Sequence, residues 1–234
     1  MELLLGIAKI NKYGSKGFGD SVDVTERPAG GISAVLADGH GCGHSATAVS
    51  TMVTTRAVQL IADGERDGAV IRAIHEYLGT LHEGKFVSAL TIISADIDTQ
   101  NLLLSRNTNC PVIIRHEFGV DFYDEPAQSI GVHKSVKAMT AQRPLEEGLL
   151  AATFSDGVLT AGRKRGRVLD MQRITKLLEE SSAEDVQFVA NSILEQALAL
   201  DDFQAVDHMT VIVMGVGAGQ PEYKIERRSV SYPV

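Results

Sequence analysis

The chain has 234 residues, 44% hydrophobic and 22% charged, with no tryptophan and a formal net charge of −8. That length buries a sizeable core, and the acidic balance, with a pI near 5.4, argues against a nucleic-acid surface, which ordinarily shows a basic face. Two cysteines, Cys42 and Cys110, are too few for a disulfide framework and fit a reduced, cytoplasmic setting, and no apolar run approaches the ~20 residues that span a bilayer.

Leu3, Leu5 and Ile7 alternate as in a strand, without the basic lead-in or cleavage site of a signal peptide. "GISAVLA" (31–37) reads as a buried strand ending at Asp38. From His44, the spacing of Val49, Val53, Ala57, Leu60 and Ile61 predicts a helix. After the Asp63-Gly64 turn, Val70, Ile71, Ile74, Leu78 and Leu81 predict a second, closed by Glu83-Gly84. At Phe86 the period changes, and "FVSALTIISADID" and "NLLLSRN" flank a Thr99-Gln100 hairpin turn. "CPVIIRHEF", "VDFYDE", "HKSVKAMT" and "GLLAATFS" continue as strands to about residue 155. The dense basic cluster "GRKRGR" (162–167) reads as a solvated loop first and a contact for an acidic partner second. A helix follows over roughly 170–180, with Ile174, Leu177 and Leu178 inward. Ser182 and Asp185 have capping-box spacing before another, with Val186, Val189, Ile193, Ala197 and Leu200 inward. "MTVIVMGV" and "YKIERRSVSYPV" return to strand. This order predicts an α+β fold, antiparallel sheet with helix pairs on its faces, in one domain spanning 1–234.

Three aspartates share a setting. Asp38 and Asp156 follow apolar strands and precede glycines, and Asp207 lies just before "MTVIVM". A carboxylate at a buried strand end is costly without a cation or hydrogen bonds, and a glycine beside it lets the chain turn. Several such carboxylates together suit Mg²⁺ or Mn²⁺ rather than zinc. "DIDTQN" (96–101) starts like an EF-hand loop but has Asn101 and Asn107 where that loop needs Gly and Glu. It reads as a hairpin turn. His40, Cys42 and His44 form a zinc alternative that lacks a second ligand pair and the usual wider spacing.

Taken in order, "GDSVDV" (19–24), "ADGHG" (37–41), "FSDGV" (154–158) and "VDHMTVIVM" (206–214) resemble the metal-dependent protein phosphatases (PPM superfamily, type 2C). The spacing is closest to the bacterial SpoIIE-like branch and its short RsbX-like members, over about residues 15–215. The resemblance implies a β-sandwich of two antiparallel sheets flanked by helix pairs, with a site for two Mn²⁺ or Mg²⁺ ions. By motif, Asp38 bridges the ions, the Gly39 carbonyl binds one, and Asp156 and Asp207 hold the other. Asp20 supports the site directly or through water, with Asp23 a lesser helper.

The implied activity is hydrolysis of phosphoserine and phosphothreonine. Phosphate monoesters are slow enough unaided that enzymic accelerations reach ~10²¹. Two cations about 4 Å apart make hydroxide available near neutral pH and orient the phosphoryl group. No protein nucleophile is needed, and Ser155 lacks the Gly-x-Ser-x-Gly elbow. His40 reads two ways, as general acid to the leaving oxygen and as a histidine that hydrogen-bonds its own loop. Cys42 and His44 are assigned to the entry of the first helix. Lys12, Lys16, Arg27 and His133 are basic residues that can reach phosphate, although a lone one is usually surface. The chain departs from the family pattern at Asp207-His208, where two acidic residues are usual, and at "NTNCPV" (107–112), where a Gly-His-Pro stretch is common. No arginine matches the phosphate-gripping one of the larger relatives.

By analogy alone, the expected partner is a phosphorylated regulator of the partner-switching kind, an anti-sigma-factor antagonist or a signalling scaffold protein, with neither nucleic acid nor membrane. No sensing segment is recognised, so regulation is expected from partners or expression. A catalytically silent binding module of the same fold and a zinc-dependent hydrolase are the other classes.

Overall fold

The computed structural model describes all residues except 16, 18, 41–43, 83–85, 133–134, 220–225 and 232–234. Its elements in chain order are β1 (Glu2–Ile10), β2 (Asp20–Glu26), β3 (Gly31–His40), α1 (His44–Ala62), α2 (Asp67–His82), β4 (Val87–Asp96), β5 (Asn101–Asn107), β6 (Val112–His116), β7 (Gly119–Tyr123), β8 (Met139–Pro144), β9 (Leu150–Phe154), the single turn α3 (Asp156–Leu159), α4 (Met171–Glu180), α5 (Val186–Leu200) and β10 (Met209–Gly217). They form two five-stranded sheets, β1-β10-β9-β6-β7 and β2-β3-β4-β5-β8, in which every pairing is antiparallel.

Strand side chains alternate between faces, and that alternation divides the core into three layers. On β3, Val35 and Ala37 pack with Val49, Val53, Ile71 and Ile74 of α1 and α2. Ala34 and Leu36 face Ile212 and Met214 of the opposite sheet. On β10, Val211 and Val213 turn outward to Val189 and Ile193 of α5. The layers therefore run helix pair, sheet, sheet, helix pair, as expected. Among the described residues no helix is long and apolar enough to cross a membrane.

Several local expectations are corrected. β3 does not end before Asp38: Asp38, Gly39 and His40 continue the ladder opposite Ala89, Ser88 and Val87. β2 has only Val22 and Val24 as apolar members and goes unsignalled in the sequence. The strand expected over 133–140 begins only at Met139 and runs on to Pro144. Residues 226–231 are exposed and form no strand. Leu81, in the last turn of α2, is 37% exposed rather than inward; its expected closure at Glu83-Gly84 lies outside the described residues. Only half of the capping box forms. The Asp185 carboxylate accepts the Ser182 N–H at 3.0 Å, while the Ser182 hydroxyl turns to Glu184, so α5 starts at Val186. The basic loop is not simply solvated, because Arg165 and Arg167 are paired with Asp202 at 2.8 and 2.6 Å beside the end of α5.

Candidate active site

At one end of the sandwich the alternation carries polar residues into the space between the sheets. Val22 and Val24 face inward from β2, so Asp20 does too. Ala34 and Leu36 place Asp38 on the inner face of β3. Asp20 and Asp38 lie directly opposite each other across the β2–β3 ladder, a cross-strand like-charge pair that is destabilising by itself. From the facing sheet come Lys9 on β1, Thr210 on β10 and Ser155 at the end of β9. Asp156 follows as the first residue of α3.

The contacts hold this set closely. Thr210 Oγ1 donates to Asp20 Oδ2 at 2.7 Å, and the Ser155 hydroxyl also hydrogen-bonds the Asp20 carboxyl. Ser155 Oγ accepts the Thr210 N–H at 3.0 Å. Lys9 Nζ donates to the Asp20 carbonyl at 2.6 Å. Ser88 Oγ donates to the Asp38 carbonyl at 2.9 Å. The Asp38 carboxyl faces that of Asp156 at hydrogen-bond range. Burial and then the Asp156 and Asp20 charges push Asp38 up to about 9, with Asp207 adding the least. Burial also raises Asp20, against the pull of the Ser155 and Thr210 hydroxyls and the Lys9 ammonium. Lys9 is lowered by burial and partly restored by Asp20.

The two glycines do not act as turn residues. Neither Gly39 nor Gly157 has a positive φ. A Cβ on Gly39 would lie 2.2 Å from the Ala46 carbonyl oxygen of α1, and one on Gly157 would lie 1.9 Å from the His208 carbonyl oxygen. Both let backbone approach backbone beside a carboxylate.

Of the residues singled out in the sequence, Asp20, Asp38 and Asp156 are brought together. Asp207 stands exposed at the rim, its carboxylate accepting the His208 N–H at 2.9 Å. His40 is exposed two residues beyond Asp38 and so on the same face. Asp23 has the opposite parity to Asp20, is exposed, and stays outside the cluster. Arg27 is committed to Asp67 at 2.9 Å, towards the other end of β3. Lys12 is exposed, and its backbone N–H donates to His208 Nδ1 at 3.3 Å. The same ring lies against Gly19, where a Cβ would come within 2.5 Å of it. The unusual His208 thus ties the approach to Asp20 to the start of β10. Lys16, Cys42 and His133 lie outside the described residues, and His44 opens α1 as expected. Cys110 is buried, its thiol pushed up to about 12 by burial with the three aspartates adding to it. Its neighbour Thr108 lines a small cleft with Asp38, Thr91, Ser155 and Asp156.

Sequence reasoning missed Lys9, Thr210 and Ser88. The first two had a signal: Lys9 continues the series Leu3, Leu5, Ile7, and Thr210 leads the series Ile212, Met214.

The donor set is hard and oxygen-rich, as Mg²⁺ or Mn²⁺ requires. Among the described residues, no three His, Cys, Asp or Glu side chains enclose a metal position as they stand. Asp20 points at two hydroxyls and Asp38 at Asp156. The crowding of Asp38 against two other carboxyls still favours a cation there over an empty cluster.

Residues 28–217 match the family model of stage II sporulation protein E (SpoIIE). The chain belongs to the SpoIIE family. It is 33% identical over 95 residues to the phosphoserine phosphatase RsbU of Bacillus subtilis (strain 168), covering 40% of this chain and 28% of RsbU. It is 23% identical over 219 residues to stage II sporulation protein E of the same organism, covering 93% of this chain and 26% of that protein. This SpoIIE-family chain thus spans about a quarter of the length of these curated relatives. A solved structure of the PP2C phosphatase domain of B. subtilis SpoIIE, with a fragment of its regulatory domain, superposes with a TM-score of 0.76 at 23% identity, over 94% of this chain and 64% of that one. RsbX in complex with magnesium gives 0.72 at 19% identity, over 92% and 96%. The fold is therefore that of the PP2C phosphatases, as the ordered motifs implied.

Proposed function

We propose that this chain acts as one metal-dependent protein serine/threonine phosphatase domain, in the cytoplasm. Its substrate would be phosphoserine or phosphothreonine on a bacterial signalling regulator, such as an anti-sigma-factor antagonist or a signalling scaffold protein. The observation that carries the reading is the convergence of Asp20, Asp38 and Asp156 between the sheets, with Asp38 pushed up to about 9. Kinship with RsbU, named a phosphoserine phosphatase, and the likeness to a magnesium complex of RsbX support the reaction class.

In this reading Asp38, the Gly39 carbonyl, Asp156 and Asp207 would hold two Mn²⁺ or Mg²⁺ ions. Asp20 supports them through water, because its carboxylate is already held by Thr210 and Ser155. When bound, such ions lower the pKa of water and neutralise phosphoryl charge. Asp38 would hold them as the carboxylate. The close backbone approaches at Gly39 and Gly157 fix where Asp38 and Asp156 stand. His40, exposed two residues beyond Asp38, would protonate the leaving serine or threonine oxygen.

The test is release of phosphate from a phosphoserine peptide with Mn²⁺, Mg²⁺, Zn²⁺ or EDTA. Release is expected with Mn²⁺ or Mg²⁺ only. Asp38→Asn should reduce it by more than the ~10–100-fold typical of outer supporting residues. Turnover with zinc alone that survives Asp156→Asn would favour the His40, Cys42 and His44 alternative. A folded wild type that binds Mn²⁺ without turnover would favour a silent binding module.

A further inference from the structure

Three residues of one sheet grip a single aspartate of the other. Lys9 and Thr210 are partners in the β1–β10 ladder, and Ser155 donates its N–H to the Thr210 carbonyl at 2.9 Å. The row Lys9, Thr210, Ser155 therefore crosses β1, β10 and the end of β9 on one inner face. The two hydroxyls take the Asp20 carboxylate, and the Lys9 ammonium takes its carbonyl at 2.6 Å. Asp20 is 2% exposed, opposite Asp38 and within the field of Asp156. A cluster of this sign between two sheets is eased by positive charge beside it before any divalent ion has arrived.

We propose that Lys9 is a resident counter-ion of the aspartate cluster, a positioning residue that lets Asp20 and Asp38 approach in the metal-free protein and weakens the binding of the divalent ions. This rests on the metal-site reading above. The two parts of the role separate physically. The Asp20 carboxylate keeps Thr210 and Ser155 when Lys9 is replaced, so its placement survives. What disappears is a fixed positive charge beside a site for divalent cations, which repels them through space. Removing it therefore favours the metal-bound form and penalises the metal-free one.

The experiment titrates the whole chain with Mn²⁺ by calorimetry, supported by the EPR signal of free Mn²⁺, and melts it in EDTA and in Mn²⁺. Lys9→Met is expected to bind Mn²⁺ roughly five- to tenfold more tightly than wild type. In EDTA it should melt about 2–4 °C lower, a gap that narrows in Mn²⁺. Lys9→Arg, which keeps the charge, should restore wild-type affinity. Lys9→Gln carries the same prediction as Lys9→Met and replaces it if the methionine variant fails to fold. Lower melting in both conditions with unchanged or weaker Mn²⁺ binding would overturn the inference and leave Lys9 a purely structural contact. A wild type that takes up no Mn²⁺ at all would overturn the metal-site reading itself, and the inference with it.

Discussion

Strand β3 carries a buried polar cluster at each end. Near its start, Arg27 Nη1 donates to Asp67 Oδ1 at 2.9 Å, to Ser33 Oγ at 3.0 Å and to Ser94 Oγ at 3.2 Å. Ser94 Oγ donates to Asp67 Oδ2 at 2.7 Å, and Asp96 lies 3.7 Å from Arg27 Nε. Asp67 also sits in the first turn of α2, where the helix dipole favours a negative charge. Here a guanidinium, two hydroxyls and a helix end answer the carboxylates from within the chain. Near its other end, Asp38 meets Asp20 and Asp156, and the ammonium of Lys9 donates to the Asp20 carbonyl at 2.6 Å. Both clusters are buried and both contain aspartates, so burial does not distinguish them. Charge balance does. The first cluster is answered from within the chain, whereas the second crowds Asp38 against Asp156 and Asp20.

The largest effect should come from breaking the balanced end. Arg27→Met leaves Asp67 buried without its cation, and a buried pair broken in this way costs roughly 3–5 kcal/mol. Urea unfolding should show that loss equally in EDTA and in Mn²⁺. A loss confined to EDTA would mean that the two ends are coupled, and the contrast would fail.

The unbalanced end should reveal itself through pH. Asp38 titrates at about 9 in the folded protein against an ordinary value of 3.8, so between those values the folded state keeps a proton that the unfolded chain has released. Its stabilising contribution is full below the lower value and is lost as pH rises towards the higher one. In EDTA the urea midpoint should therefore fall from about pH 6 to about pH 8.5. Mn²⁺ should flatten that fall by replacing the proton, and Asp38→Asn should flatten it by removing the group. A wild type with no slope in EDTA would mean that the carboxylates are not crowded.

Much of this contrast was legible in the sequence, but unevenly. Helical spacing predicts α1 and α2, and the ordered Asp motifs indicate Asp38, Asp156 and Asp207, because both are local patterns. Parity separates Asp20 from Asp23 once β2 is recognised as a strand, yet Asp-Ser-Val-Asp-Val has too few apolar residues to announce one. The grip of Thr210 on Asp20 spans 190 positions and joins two sheets, so no local pattern contains it. The Asp-Gly pairs mislead for a related reason. Turn and close approach both select glycine, and only the folded backbone shows that Gly39 and Gly157 are there for approach. Arg27 carries no local mark of its ion pair either, since Asp67 comes from α2 and Asp96 from β4.

The smallest effect tests the grip itself. Thr210→Val keeps the shape and removes the hydroxyl that donates to Asp20 Oδ2 at 2.7 Å. A buried bond to a charged group is worth about 1.5–3 kcal/mol and one to a neutral group about 1 kcal/mol, so the cost depends on whether Asp20 is ionised. Burial raises the Asp20 pKa while this hydroxyl lowers it, so losing the hydroxyl moves the group further up. The stability gap between wild type and variant should therefore be small at acidic pH and widen as pH rises through the wild-type titration. Unfolding both proteins in EDTA across that range reads the gap directly. A gap that does not change with pH would mean that Asp20 stays protonated throughout, in which case Lys9 would face a neutral acid and would have no charge there to counter.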